Sequence, residues 1–129
     1  MRLARALVVA SIAIACAPPA ANSALKPPGS GWSCFRQTAP EPSSACMRTA
    51  DACASARDAM AKSFPGRTFS ECSRQDRAGC ATFYDLQRRR PATYCTASLE
   101  DCSRQTEQIR NDPQRSVWYE DITRCETWE

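Results

Sequence analysis

Cys46-Met47-Arg48-Thr49-Ala50-Asp51-Ala52-Cys53 and Cys95-Thr96-Ala97-Ser98-Leu99-Glu100-Asp101-Cys102 are the two stretches whose comparison decides the fold. Each carries two cysteines six residues apart, with a helix-capping hydroxyl three positions after the first cysteine. A Thr or Ser at that point accepts a hydrogen bond from the free amides of a first helical turn. The same local instruction is therefore written twice.

Working outward, the register persists. Cys34, Cys46, Cys53 and Cys72 are separated by 11, 6 and 18 residues, and Cys80, Cys95, Cys102 and Cys125 by 14, 6 and 22. Met60 and Ile109 stand seven positions after the third cysteine of each set, two turns along the same helix face. Phe69-Ser70-Glu71-Cys72 aligns with Ile122-Thr123-Arg124-Cys125. The chain is an internal duplication of one four-cysteine unit.

The pattern within each unit predicts two short strands, a helix and a closing strand. Trp32 to Gln37 and Ser44 to Arg48 form the first hairpin, turning through Pro40 and Pro42. Ala81 to Gln87 and Thr93 to Thr96 form the second, turning through Arg88-Arg89-Arg90-Pro91. Helices follow over Ala50 to Lys62 and Leu99 to Asn111, stopped by Pro65-Gly66 and Asp112-Pro113. Ser98 with Asp101 approximates a capping box, and Glu100 and Asp101 suit the positive end of the helix dipole. Thr68 to Cys72 and Val117 to Cys125 then close the units. The expected fold class is α+β: a small disulfide-rich module of two tandem β-β-α-β repeats. Repeat 1 spans residues 32–72, a linker 73–79, and repeat 2 with a C-terminal tail 80–129.

Composition explains the cysteines. From Ala24 onward the aliphatic residues are Leu25, Leu86, Leu99, Ile109, Val117 and Ile122, too few for an ordinary core. Small scaffolds in that position lean on disulfides, which persist in oxidising compartments. Cys34, Cys46, Cys53, Cys72, Cys80, Cys95, Cys102 and Cys125 are expected to be fully paired. Cys53 and Cys102 fall at the fourth helical position, facing back toward the entering strand. The expected bridges are thus Cys46 to Cys53 and Cys95 to Cys102, with Cys34 to Cys72 and Cys80 to Cys125 closing the units. Crossed pairing within a unit, or a bridge between Cys72 and Cys80, stays open on sequence grounds.

The N-terminus predicts export. Met1, Arg2, Leu3, Ala4 and Arg5 precede an apolar run from Ala6 to Ala15, a signal peptide too short to span a bilayer. Ala13-Ile14-Ala15-Cys16 resembles a lipobox, which makes residues 1–15 the signal peptide and Cys16 the lipidation site of an envelope lipoprotein. The alternative is cleavage after Ala21-Asn22-Ser23 and free periplasmic or secreted release. Residues 16–31, rich in Pro, Ala, Ser and Gly, read as a spacer.

Several chemistries fit poorly. The chain has no histidine, which removes Ser-His-Asp and Cys-His constellations and histidine-containing zinc sites. The closest cysteine spacing, six residues, exceeds that of structural zinc sites. Glu100 with Asp101, Glu120 with Asp121 and Asp51 with Asp58 are the carboxylate pairs on which a hydrolase would depend. No Gly-rich phosphate loop occurs. The formal charge of +3 falls to about +1 once Arg2 and Arg5 leave, so nothing argues for nucleic acid. The basic residues are Arg except Lys26 and Lys62, in keeping with an Ala-rich, GC-rich coding composition.

The candidate binding residues are Arg88, Arg89, Arg90 and Tyr119. The arginines are the densest local charge and otherwise form a solvated hairpin tip; Trp118 is expected in the core with Tyr119 on the opposite strand face. With Cys34-Phe35 opening one unit and Cys46-Met47-Arg48-Thr49 through Cys53 entering its helix, residues 32 to 125 resemble small, generally uncharacterised cysteine-rich exported proteins and lipoproteins of GC-rich bacteria. That resemblance implies architecture and compartment alone. The reading that follows is a non-enzymatic interaction or structural module of the cell envelope or extracellular space, with no cofactor. Its partner would be a protein or envelope component, with membrane contact only through an acylated Cys16. A secreted inhibitor or toxin-like effector presenting Thr38 to Ser43 is the alternative, and a carboxylate hydrolase a more distant one.

Overall fold

A computed structural model describes residues 25–129; the expected signal peptide, Cys16 and residues 17–24 lie outside them. Two sheets and two helices form the module. Repeat 1 comprises β1 (Trp32–Ala39), β2 (Ser43–Met47), α1 (Ala50–Ser63), β3 (Thr68–Phe69) and β4 (Ser73–Gln75). Repeat 2 comprises β5 (Ala78–Asp85), β6 (Arg90–Thr96), α2 (Leu99–Asn111), β7 (Tyr119–Glu120) and β8 (Glu126–Trp128). In each sheet the first strand is central: β1 pairs antiparallel with β2, β3 and β4, and β5 with β6, β7 and β8.

The duplication is visible atom by atom. Arg36 and Ser70 exchange backbone and hydroxyl bonds, with Ser70 N donating to Arg36 O at 2.8 Å and Arg36 N to Ser70 Oγ at 3.0 Å. Thr82 and Thr123 repeat the arrangement at 2.9 and 3.0 Å. The two aligned closing segments therefore dock in one way. The helix caps match too, Thr49 Oγ1 accepting from Ala52 N and Ser98 Oγ from Asp101 N, each at 3.1 Å. Asp101 completes no reciprocal box, because its carboxylate turns across to Ser44 and Arg104.

Two expectations about the chain path are corrected. The closing strand is broken into two short strands in each repeat, with the last cysteine between them. Residues 73–79 are also not a linker, since β4 occupies Ser73–Gln75 and β5 starts at Ala78. The reason is backbone satisfaction: Trp32, Ser33 and Cys34 have β2 on one side only part of the way and take Gln75, Arg74 and Ser73 as partners on the other. In repeat 2 the longer connection is absorbed at Asp121, whose φ of 53° is left-handed.

The disulfides are Cys34–Cys46, Cys53–Cys72, Cys80–Cys95 and Cys102–Cys125. The expected pairing, Cys46 with Cys53 and its counterparts, is wrong, although every partner lies within its own repeat. Hairpin register decides the matter. Cys34 stands directly opposite Cys46, and Cys80 opposite Cys95, with Cα atoms 4.1 Å apart in both pairs. Facing cysteines in a closely spaced antiparallel pair consume each other, leaving the inward-facing helical Cys53 and Cys102 for Cys72 and Cys125. The constant six-residue interval records a fixed strand-to-helix connection and not a closed loop.

The core lies between the repeats. Trp32, Cys34, Cys46, Ala78, Cys80, Cys95 and Trp128 cluster there, and none of the six aliphatic residues is buried. Sulfur and indole take the place of Leu and Ile. The two tryptophans occupy complementary places: Trp32 pairs with Gln75 in one sheet, and Trp128 with Ala78 in the other. The two indoles meet at the seam, where Trp32 Nε1 donates to Trp128 O at 3.1 Å. Trp118, expected in the core, is 44% exposed on a short 3-10 turn, because it sits beside Leu86 at the far end of β5 from the Trp32–Trp128 cluster. Leu99 is likewise exposed at 45%.

Arg48 ties the ends of the described chain together. Its guanidinium lies 3.8 Å from the Trp32 ring centroid and donates to the carbonyls of Pro27, Gly31 and Glu129. Desolvation lowers its pKa from the usual arginine value. Thr93 Oγ1 holds Leu25 O at 3.0 Å, so the described part of the spacer, residues 25–31, lies against the module.

Candidate functional site

The seam between the repeats is dry on the tryptophan side and open on the other. Ser44 on β2 is its polar hinge: Ser44 Oγ accepts from Ala97 N at 2.9 Å and donates to the Asp101 carboxylate. Arg104 pairs with the same carboxylate and reaches Pro42 O at 2.9 Å. The Tyr94 hydroxyl lies 3.0 Å from Ser44 O and against the Gln105 side-chain carbonyl. Burial pushes the Tyr94 phenol well above its ordinary pKa, so it stays protonated. Repeat 2 thus grips the edge of β2, and the two helices are held apart with a cleft between them.

That cleft has a volume of about 990 Å³. Met60 from α1 and Ile109 from α2 face it at equivalent repeat positions, as do Phe69 and Ile122. Two edge-to-face aromatic pairs line its walls, Phe35 with Phe69 at 5.9 Å and Phe83 with Tyr119 at 5.0 Å. Because helix faces at i and i+7 coincide, the residues whose spacing marked the duplication are the ones the fold turns toward this space.

The rim is polar. Arg67 stacks over Phe64 at 4.3 Å and donates to Gln37 Oε1 at 3.2 Å, making no ion pair among the described residues. Gln37, itself buried, donates in turn to Glu41 O at 2.8 Å. Arg115 and Arg88 also line the cleft, but each already has a carboxylate, Asp112 at 3.4 Å and Asp85 at 3.2 Å. Asp85 also accepts from the amides of Arg88 at 3.0 Å and Gln87 at 2.9 Å. The Arg88 amide above all, with Gln87 and the guanidinium adding to it, holds the Asp85 carboxyl below the ordinary carboxylate range.

The residues singled out from sequence are therefore split. Tyr119 lines the cleft and Arg88 stands at its edge, whereas Arg89 occupies the hairpin turn at a φ of 52° and Arg90 begins β6. In two of the carboxylate pairs one member is taken by another partner. Asp101 is buried against Ser44 and Arg104 while Glu100 is exposed, and Asp58 pairs with Arg57 at 3.0 Å. The Thr38–Ser43 loop lies along the cleft, its Pro42 and Glu41 carbonyls held by Arg104 and Gln37. Among the described residues no group of three His, Cys, Asp or Glu side chains could hold a metal ion. Sequence reasoning missed Arg67, Gln37 and Phe83; their role follows from sheet register and inter-repeat docking, which leave no local signature. No protein-family model, curated protein or solved structure matches the chain.

Proposed function

We propose that the protein is a non-enzymatic binding module of the cell envelope or extracellular space that takes its ligand in the cleft between the repeats. The observation that carries this reading is the cleft itself: two aromatic pairs inside and one arginine, Arg67, at the rim without a carboxylate. Its size lies at the upper end of small-ligand sites, and its aromatic and aliphatic lining is shared about equally with polar side chains. Four disulfides support an oxidising compartment. An apolar ligand bearing one negative group suits the arrangement, its body against Phe35, Phe83 and Met60 and its charge at Arg67. An inhibitor that presents the pinned Thr38–Ser43 loop is the competing reading, favoured by the hydrogen bonds that hold that loop.

Fluorescence titration with anilinonaphthalene sulfonate, an anionic aromatic probe, tests the cleft. Saturable one-to-one binding by the native protein is expected. Ala59→Trp, which would place an indole in the cleft from an exposed helix position, should abolish it, and Arg67→Gln should weaken it about ten-fold. Equal binding by the native protein and Ala59→Trp would rule the cleft out.

A further inference from the structure

The 3-10 turn Ser116–Trp118 and the β5–β6 hairpin tip, distant in sequence, are brought to one end of repeat 2. Leu86 N, at the start of the tip, donates to Trp118 O at 2.9 Å, and Asp85 pairs with Tyr119. Val117 is 58% exposed and Trp118 44% exposed there, the two largest exposed apolar side chains of this end. Arg88, Arg89 and Arg90 project from the adjoining tip, all exposed, and Arg89 and Arg90 make no ion pair among the described residues. Asp85 engages Arg88, and Glu120 and Asp121 follow Tyr119, leading away from the tip.

From this juxtaposition we infer that the Val117–Trp118 turn and the arginine tip form a membrane-contact surface that docks on anionic lipid headgroups. The chemistry is complementary at both levels. Trp is amphipathic and settles at the boundary of headgroup and acyl chain, while Val117 adds apolar area to insert beside it. Arginines next to such a wedge meet the phosphates, each strengthening association with an anionic surface. An acidic protein or soluble polyanion would use the arginines but gives no reason for an exposed Val-Trp pair at the same end. This contact is separate from acylation of Cys16 and shares Arg88 alone with the edge of the ligand cleft.

Vesicle partitioning tests it, using the isolated protein with phosphatidylcholine vesicles and with equimolar phosphatidylcholine and phosphatidylglycerol at about 0.1 M salt. Binding should be at least ten-fold tighter to the anionic vesicles. Trp32 and Trp128 are buried, so a blue shift of tryptophan emission on binding reports Trp118, and Trp118→Ser should remove it. Arg89→Gln with Arg90→Gln should weaken partitioning about thirty-fold. The same N-terminal segment is present in every variant, so its contribution cancels in these ratios. Both sites are exposed, and unchanged near-ultraviolet circular dichroism would show that the variants fold. Equal partitioning of native protein and double variant overturns the inference. So does heparin or polyphosphate binding with no vesicle binding and no shift in Trp118 emission, which would assign the tip to a soluble polyanion.

Discussion

Gly79 is the position where a single methyl group should do most damage. It lies in β5 beneath the entry of α2. A Cβ built there would sit 2.4 Å from Ser98 O and 2.7 Å from both Ser98 C and Leu99 Cα. These are backbone atoms, so no rotamer change relieves them. The α2 entry must retreat by about 0.6 Å to reach even the 3.0 Å limit, and by about 1 Å for ordinary contact. That retreat pulls on Thr96, which is fully buried and whose hydroxyl bonds Gly79 O at 3.2 Å and Ser98 O at 2.7 Å. Overpacking of this kind costs about 1–3 kcal/mol, and loss of a buried hydrogen bond about 1 kcal/mol more. Gly79→Ala is therefore expected to destabilise by about 3 kcal/mol, lowering the melting temperature by about 15 °C in a domain of this size. The matched control is Gly66→Ala, where a Cβ meets nothing within 4 Å. There the smaller unfolded-state entropy should stabilise by about 0.5 kcal/mol. Reversible thermal and urea unfolding with the disulfides intact measures both. A Gly79→Ala variant within 0.5 kcal/mol of the parent, or a Gly66→Ala variant equally destabilised, would refute the close-approach argument.

Four further outcomes are expected. Ser44→Ala should cost about 2 kcal/mol in urea unfolding, because it strips the buried Asp101 carboxylate and the Ala97 amide of a shared partner; a loss under 0.5 kcal/mol would mean that the repeats are not held together at this point. The pKa of Asp85 is depressed, so its stabilisation is complete above the ordinary carboxylate value of about 4 and is lost as pH falls through the depressed value. Melting temperatures between about pH 2 and 6 should accordingly fall less steeply for Asp85→Asn than for the parent, and parallel curves would exclude Asp85 as an acid-sensitive group. Mass mapping of unreduced proteolytic fragments should find Cys34 with Cys46, Cys53 with Cys72, Cys80 with Cys95 and Cys102 with Cys125, with no free thiol after Ala24. Removing either helix bridge as a double Cys→Ser variant should cost about 3 kcal/mol, nearly the same for both, since their loops differ only from 19 to 23 in sequence separation.

Local chemistry was legible in the sequence because it is decided by neighbours. The caps at Thr49 and Ser98, the helix stops before Pro65 and Pro113, and the docking of Ser70 and Thr123 in equivalent places all follow from residues within one unit. Confinement of each disulfide to its own repeat did not, since a bridge between Cys72 and Cys80 stayed open until the structure showed otherwise. The pairing itself was not legible, since it depends on Cys34 meeting Cys46 across a hairpin, and register is a property of two strands together. The position of Trp118 depended in the same way on register, since β7 pairs with the tip end of β5 at Tyr84 and Asp85 while Trp128 pairs at Ala78 beside the core. Sequence alone therefore determined the α+β class and the duplication. Only the tertiary structure decided that one face of the seam closes on indole and sulfur while the other opens into a cleft. That choice rests on contacts such as Ser44 to Asp101, 57 residues apart, whose geometry no local propensity encodes.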